Sequence, residues 1–427
     1  MPSRLTALPA ALLAATVALV TAAAPAGAST AISPPTITAP LGGLGPYPTG
    51  APVTFTFSET GAGTAVSYEY TVNGGSTQTV AAPSGVANIQ ITPAREYSTL
   101  TAYAVAADGT VSGGTVDSFR AYAPIPAADQ DLNGDGIPDL LTVGGTPGLA
   151  AGLWLATGKP GRHGSTGSPA VTLPATENGP GINVPGSPAD FAGAQVITGQ
   201  FLADGFQDVL AYYPSGNDAG GGVVLPGSGD GSALQPYSGT ACAIPSGSLA
   251  DSGGDNPLQV VNAYRSIDGT GFPDLLAISG DPSQGYYLDY YDDGAQCSYF
   301  STFVVHVPTP DGTADWNKWT LATLSYSGGT GVFLWDESTG ALCLWAGLTA
   351  ADNGDGTGSL SYTQYEIAAH WHTGKPLATL EAADINGDGV PDLWTVTPAG
   401  LAQAYLISHL STNGTARMRA GKRQRLP

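Results

Sequence analysis

The sequence predicts an all-β chain in two parts: a short-stranded sandwich, then repeated sheets closed radially into a propeller. Three observations lead there. The chain holds 60 Gly and 34 Pro in 427 residues, and no stretch of ten or more residues has a convincing 3.6-residue apolar period. Short runs rich in Val, Thr and Tyr alternate between turn residues from about 51 to 121. Beyond that a ten-residue acidic motif recurs, and repetition at a fixed interval is the mark of a repeat architecture.

The ends are set aside first. Arg4, the mostly apolar run Leu5 to Val20 and the small-x-small sequence Ala26-Gly27-Ala28 read as a signal peptide over 1–28. No other apolar run is long enough to span a bilayer, so the mature protein is expected to be secreted, extracellular and without a membrane span. Residues 29–50, rich in Pro, Gly, Ser and Thr, read as a linker. Residues 411–427 read as a basic C-terminal tail. A formal charge of −21 argues against nucleic acid as a partner and is compatible with an exterior that binds calcium.

Residues 51–121 hold the first unit. Val53–Phe57, Val66–Val72, Ala87–Ile91, Leu100–Val105 and Val116–Ala121 alternate as strands, with turns at Asn73-Gly74 and Asp108-Gly109. This pattern predicts an immunoglobulin- or fibronectin-III-like sandwich lacking the Cys-Trp-Cys core. Tyr122-Ala123-Pro124-Ile125-Pro126 is a stiff boundary.

The second unit, 122–410, is organised by Asp131-Leu132-Asn133-Gly134-Asp135-Gly136-Ile137-Pro138-Asp139-Leu140 and its near-copy Asp384-Ile385-Asn386-Gly387-Asp388-Gly389-Val390-Pro391-Asp392-Leu393. Oxygen-bearing side chains at positions 1, 3, 5 and 9 and a carbonyl at position 7 suit a hard cation, and glycines at 4 and 6 allow the turns. An EF-hand is excluded. Position 12 is Thr142 or Thr395 rather than a bidentate Glu, and each loop runs on into a strand, as in Leu393-Trp394-Thr395-Val396.

Degenerate copies begin at Gln200, Ser266 and Ser325. The first positions 131, 200, 266, 325 and 384 are separated by 69, 66, 59 and 59 residues. About 60 residues suffices for a four-stranded blade. Stacked linear repeats are the alternative; radial closure is favoured because it protects sheet edges in a chain with few lysines.

The motif D-x-N-G-D-G-x-P-D-L resembles the FG-GAP/VCBS repeat of integrin-type β-propellers, and the layout is similar to secreted actinobacterial proteins carrying such repeats. The resemblance spans about 122–410; it is strong at 131 and 384, moderate at 266, and weak at 200 and 325. It implies structural calcium held by Asp131, Asn133, Asp135, the Ile137 carbonyl and Asp139. The second set is Asp384, Asn386, Asp388, the Val390 carbonyl and Asp392. The copy at 200 keeps only Asp204 and Asp208, and the copy at 266 keeps only Asp268 and Asp274.

Other candidates read more plainly. Cys242 and Cys297 are the preferred disulfide pair, and Cys343, inside an apolar strand, is a buried thiol. His370 and His372 are surface or inter-blade residues. Asp289, Asp292 and Asp293 beside Tyr287, Tyr290 and Tyr291 suggest a solvated loop. Trp316, Trp319, Trp335 and Trp345 are packing residues unless two of them form an exposed pair. The function expected is a noncatalytic, monomeric interaction, adhesion or scaffold protein, its partner an extracellular protein or polysaccharide. The alternative is a lectin-like or polysaccharide-active protein, which requires that exposed tryptophan pair.

Overall fold

The computed structural model describes residues 32–42, 45–59, 61, 64–159, 165–173, 188–231, 242–264, 271–295 and 297–426, with backbone alone for 165–173 and Ala295. The signal-peptide expectation over 1–28 lies outside the described residues. Regular structure among them is β-strand, with two short 3-10 turns at Pro188–Phe191 and Trp316–Lys318.

Eight strands come first: β1 (Thr36–Thr38), β2 (Tyr47–Pro48), β3 (Val53–Ser58), β4 (Ala65–Val72), β5 (Gln78–Ala81), β6 (Val86–Ile91), β7 (Tyr97–Ala106) and β8 (Thr115–Tyr122). They form a three-stranded sheet, β1-β3-β6, and a five-stranded one, β2-β8-β7-β4-β5. Alternation drives the burial: in β3 Val53, Phe55 and Phe57 point inward, and in β6 Ala87, Ile89 and Ile91 do so. Phe55, Phe57, Tyr68, Leu100 and Phe119 make one core. Asn73, at φ +53°, and Gly74, at φ +66°, turn the chain after β4, as a tight Asn-Gly turn requires. The immunoglobulin- or fibronectin-III-like sandwich is nevertheless corrected. The wider sheet curls as a half-barrel, and its edge is closed by β2, which pairs parallel to β8 through Tyr47–Ala121. That strand comes from the segment expected to be a linker, because Tyr47 buries its ring against Phe55 and Phe119.

Five antiparallel meanders follow. The first holds β9 (Leu140–Val143), β10 (Leu153–Lys159) and β11 (Ser165–Leu173); the second, β12 (Gln195–Gly199), β13 (Asp208–Tyr213), β14 (Gly221–Leu225) and β15 (Cys242–Ile244). The third holds β16 (Gln259–Asn262), β17 (Leu275–Asp281), β18 (Gly285–Ala295) and β19 (Ser298–Val305). The fourth holds β20 (Trp319–Tyr326), β21 (Gly329–Asp336), β22 (Leu342–Asp352) and β23 (Gly358–Ala368). The fifth holds β24 (Thr379–Ala383), β25 (Asp392–Val396), β26 (Leu401–Ser408), β27 (Arg417–Ala420) and β28 (Gln424–Arg425). The second strands of the second and fifth meanders are covered on both faces, which is why β13 and β25 are buried at every residue and read as continuous apolar runs rather than alternating ones. Neighbouring meanders share cores: Leu210, Tyr212, Leu275 and Tyr291 join the second to the third, and Leu276, Tyr290, Leu334 and Trp345 join the third to the fourth.

The closed β-propeller is corrected as well. The meanders are separate sheets, with no ladder running from one named sheet into the next. Among the described residues the first has three strands, and no strand from the far end of the chain completes it; β28 pairs with β26 instead. Side chains make the links that a shared strand would have made. Gln195 reaches Leu258 O and Val260 N, and Gln259 reaches Leu321 O and N. On the open edge of the first meander, the Leu141 N–H donates to the Glu381 carboxylate at 3.0 Å. The segment expected as a basic tail is not one: Met418 packs beside the core of the fourth and fifth meanders while Arg417 and Arg419 face out.

Gly148 marks where the first and fifth meanders touch. Its N–H donates to Pro398 O at 3.1 Å, and a Cβ there would collide with the Ala399 backbone. Backbone cannot move aside as a side chain can, so Gly148→Ala is expected to cost about 1–3 kcal/mol. A denaturation midpoint equal to that of the unaltered protein would rule out this contact as a tight one.

Candidate metal loops and buried carboxylates

The two full acidic motifs fold alike. Asp131 Oδ1 accepts from Gly134 N at 2.7 Å and Asp135 N at 3.1 Å, and its Oδ2 from Gly136 N at 2.8 Å. Asn133 Oδ1 accepts from Asp135 N and Asp135 Oδ1 from Ile137 N, both at 2.9 Å. Asp384 repeats the arrangement with Asp388 N at 3.0 Å and Gly389 N at 2.9 Å, as do Asn386 with Asp388 N and Asp388 with Val390 N. The glycines earn their places: Gly387 and Gly389 sit at φ +70° and +80°, where a Cβ is strained.

Position 9 has a role that the motif alone did not reveal. Asp139, Asp208, Asp274 and Asp392 are all fully buried. Each uses Oδ1 to accept a distant backbone N–H: Gly158 at 2.8 Å, Gly227 at 3.0 Å, Asp293 at 3.2 Å and Ile407 at 2.7 Å. Asp139 and Asp208 take a second N–H on Oδ2, from Leu132 and Leu202. The ninth aspartate therefore clamps its loop to the far end of the next strand of the meander, or just past it. A sign of this was present in the sequence: the residue persists in the 200 and 266 copies, where positions 1 and 3 no longer carry their acid and amide. In the copy at 325 there is no loop, because β20 and β21 are joined by the short turn Ser327-Gly328 and Phe333 is core.

Clamping costs charge. Burial pushes Asp139 up to about 7; the Gly158 N–H pulls it down, and the Asp131 and Asp135 carboxylates add to the rise. Asp392 is pushed up to about 8, again chiefly by burial, with Asp388 and Asp384 contributing. Its Oδ2 is buried without a well-formed hydrogen bond: the Ile385 N–H, which lowers the carboxyl and stands where Leu132 and Leu202 do in the other loops, falls outside ordinary geometry. Among the described residues no three or more His, Cys, Asp or Glu are drawn together as a group that could hold a metal. The preassembled calcium cages implied by the resemblance are corrected accordingly: the carboxylates of these loops are turned onto backbone N–H groups.

The other candidates resolve clearly. Asp289, Asp292 and Asp293 are not in a solvated loop but inside β18, all buried. Asp289 Oδ1 accepts the Ser301 hydroxyl at 2.9 Å, and burial raises its carboxyl to about 6. The unbroken aromatic run around them was the available signal, since it belongs to a strand covered on both faces. Trp316, Trp319, Trp335 and Trp345 are all buried, so they form no exposed stacking pair. His370 is exposed beside Thr339 O, and His372 Nε2 lies 2.7 Å from the Tyr405 hydroxyl. Cys242 is bonded to Cys297, and Cys343 is a buried free thiol. A polar cavity of about 400 Å³ lies where the first strands of the second to fifth meanders approach one another, lined by Gln130, Gln195, Thr198, Gln259, Tyr264 and Glu381 among others. No described helix is long and apolar enough to cross a membrane.

No protein-family model matches the chain, and no curated protein matches it. The FG-GAP/VCBS assignment is thereby corrected along with the closed ring. Among solved structures, Kluyveromyces lactis Hsv2 is similar over 88% of this chain and 96% of its own, at 9% identity and a TM-score of 0.26. A form of that protein with loop 6CD replaced by a Gly-Ser linker matches at 10% identity and the same TM-score, over 88% of this chain and 95% of its own. Likeness this distant carries no functional argument.

Proposed function

We propose that this chain is a noncatalytic extracellular interaction or adhesion scaffold, stabilised by a hard divalent cation, calcium, at the loop 384–392. One observation carries the cation: the buried Asp392 Oδ2, without a well-formed hydrogen bond, closes a loop that also presents Asp384 and Asp388. A buried carboxylate oxygen without a partner is costly, and a cation would satisfy it. The donor set is all oxygen, which favours calcium over the softer transition metals. Asp384, Asn386, Asp388, the Val390 carbonyl and Asp392 would hold it, and the ion would supply positive charge against three carboxylates. The loop 131–139 is the weaker partner, since both Asp139 oxygens already accept N–H donors. Export is supported by the signal-like N-terminus and by the Cys242–Cys297 bridge, a bond that persists in oxidising compartments.

The test is thermal unfolding of the full mature chain in EDTA, then across a calcium titration with magnesium as control. Calcium at about 100 times its dissociation constant should add about 2.7 kcal/mol and raise the midpoint. The double variant Asp384→Asn, Asp388→Asn should lose that increment. A midpoint indifferent to calcium would reject the reading.

A further inference from the structure

The N-terminal sheets meet the second meander through acids. Glu96, just before β7, is fully buried. Its N–H donates to Ser228 O at 3.0 Å, and its Oε1 pairs with Arg120 at 2.8 Å. Asp204, in the turn before β13, is buried too, and its main chain takes part in the same junction: Asp204 O accepts from Ala123 N, and Gly205 O from Ala127 N, both at 2.8 Å. Glu96 Oε2 and Asp204 Oδ2 are both buried without an ordinary donor. The Asp204 charge acts on Glu96, and the Tyr97 side chain faces Glu96 as well. Two buried carboxyl oxygens without donors can satisfy each other only if one of them keeps its proton.

We propose that Glu96 and Asp204 share one proton, forming an acid latch that holds the N-terminal sheets on the meanders and releases when that proton goes to solvent. Arg120 is the cation facing the pair. It lies over the Tyr97 ring at 4.9 Å and is about half exposed, so its charge is screened. Asp208 lies behind Asp204, and burial together with the Asp204 and Glu96 charges holds its carboxyl well above the ordinary value; Arg95 and Asp230 pair at 3.9 Å at the same junction. Losing the proton leaves Glu96 and Asp204 both charged beside one partly solvated guanidinium.

The direction of the pH effect follows. Burial, then the Asp204 charge, raises Glu96 to about 7 from an ordinary 4.5. An acid whose pKa is raised by the closed contact stabilises that contact fully below the ordinary value and stops doing so as pH climbs through 7. The latch is therefore closed in mild acid and loosened in mild alkali.

Hydrogen exchange on the full mature chain reads this at the amides of Glu96, Ala123 and Ala127. After correction for intrinsic rates, their protection should fall by about tenfold or more between pH 5.5 and 8. Glu96→Gln replaces the shared proton with an amide N–H that does not titrate, so protection should stay high at pH 8. If that variant does not fold, Asp204→Asn supplies the same donor from the other side. Unchanging protection in the native protein, or the same fall in the folded variant, would overturn the latch.

Discussion

Trp345→Ala is expected to lower stability by about 3–5 kcal/mol, among the largest losses that a single side chain in this molecule can produce. Trp345 lies in β22 and is fully buried. Its ring stacks on Tyr362 at 3.9 Å, meets Trp316 edge-on at 5.7 Å, and donates Nε1–H to Gln364 Oε1 at 2.9 Å. Those contacts lie in the core shared by the third and fourth meanders, so truncation empties space on both sides of one sheet junction. The Gln364 side chain is exposed, so water can replace the indole N–H and the cavity dominates the cost. Denaturant titration followed by the remaining tryptophans would measure the change. A loss below about 1 kcal/mol would mean that the junction collapses to fill the space, contrary to the packing described.

Reducing the Cys242–Cys297 bridge should cost a comparable amount. The bond closes a separation of 55 residues, and the chain-entropy relation gives about 4 kcal/mol for a loop of that size. It ties β15 of the second meander to the turn between β18 and β19 of the third. The double variant Cys242→Ser, Cys297→Ser should therefore unfold at lower denaturant than the native protein, and reductant should shift the native midpoint alone. Cys343 is not expected to interfere. Burial pushes its thiol up to about 11, so it should not react with a thiol reagent until the protein unfolds. A variant as stable as the native chain would show that the meanders hold each other without the bond.

Much of the strand pattern was legible in the residues, and for local reasons. Alternation located β3, β4, β6, β7 and β8 to within a few residues, because each has one face in a core and one in water. Asn73-Gly74 marked its turn because few residues other than glycine and asparagine accept the left-handed backbone. The disulfide pair was also anticipated. Other features needed distant parts of the chain. Tyr47 makes a strand of a Pro-rich segment only because Phe55 and Phe119 leave room for its ring. Asp289 and its neighbours looked solvated because charge near aromatics is ambiguous until both faces of the strand are seen to be covered.

The acidic loop shows the division most clearly. The sequence by itself determined that Asp384 to Leu393 is a glycine-turned loop entering a strand, since spacing and glycine conformation are local properties. It also determined that the aspartate at position 9 outlasts its companions. Only the tertiary structure decided what that aspartate does: it is held by an N–H from a strand end 15 or 19 residues away. Tertiary structure likewise decided that the five meanders remain separate sheets joined by glutamine and glutamate side chains. Closure depends on where the last strand pairs, and the competition that sends β28 to β26 is a balance of long-range contacts that no local motif encodes.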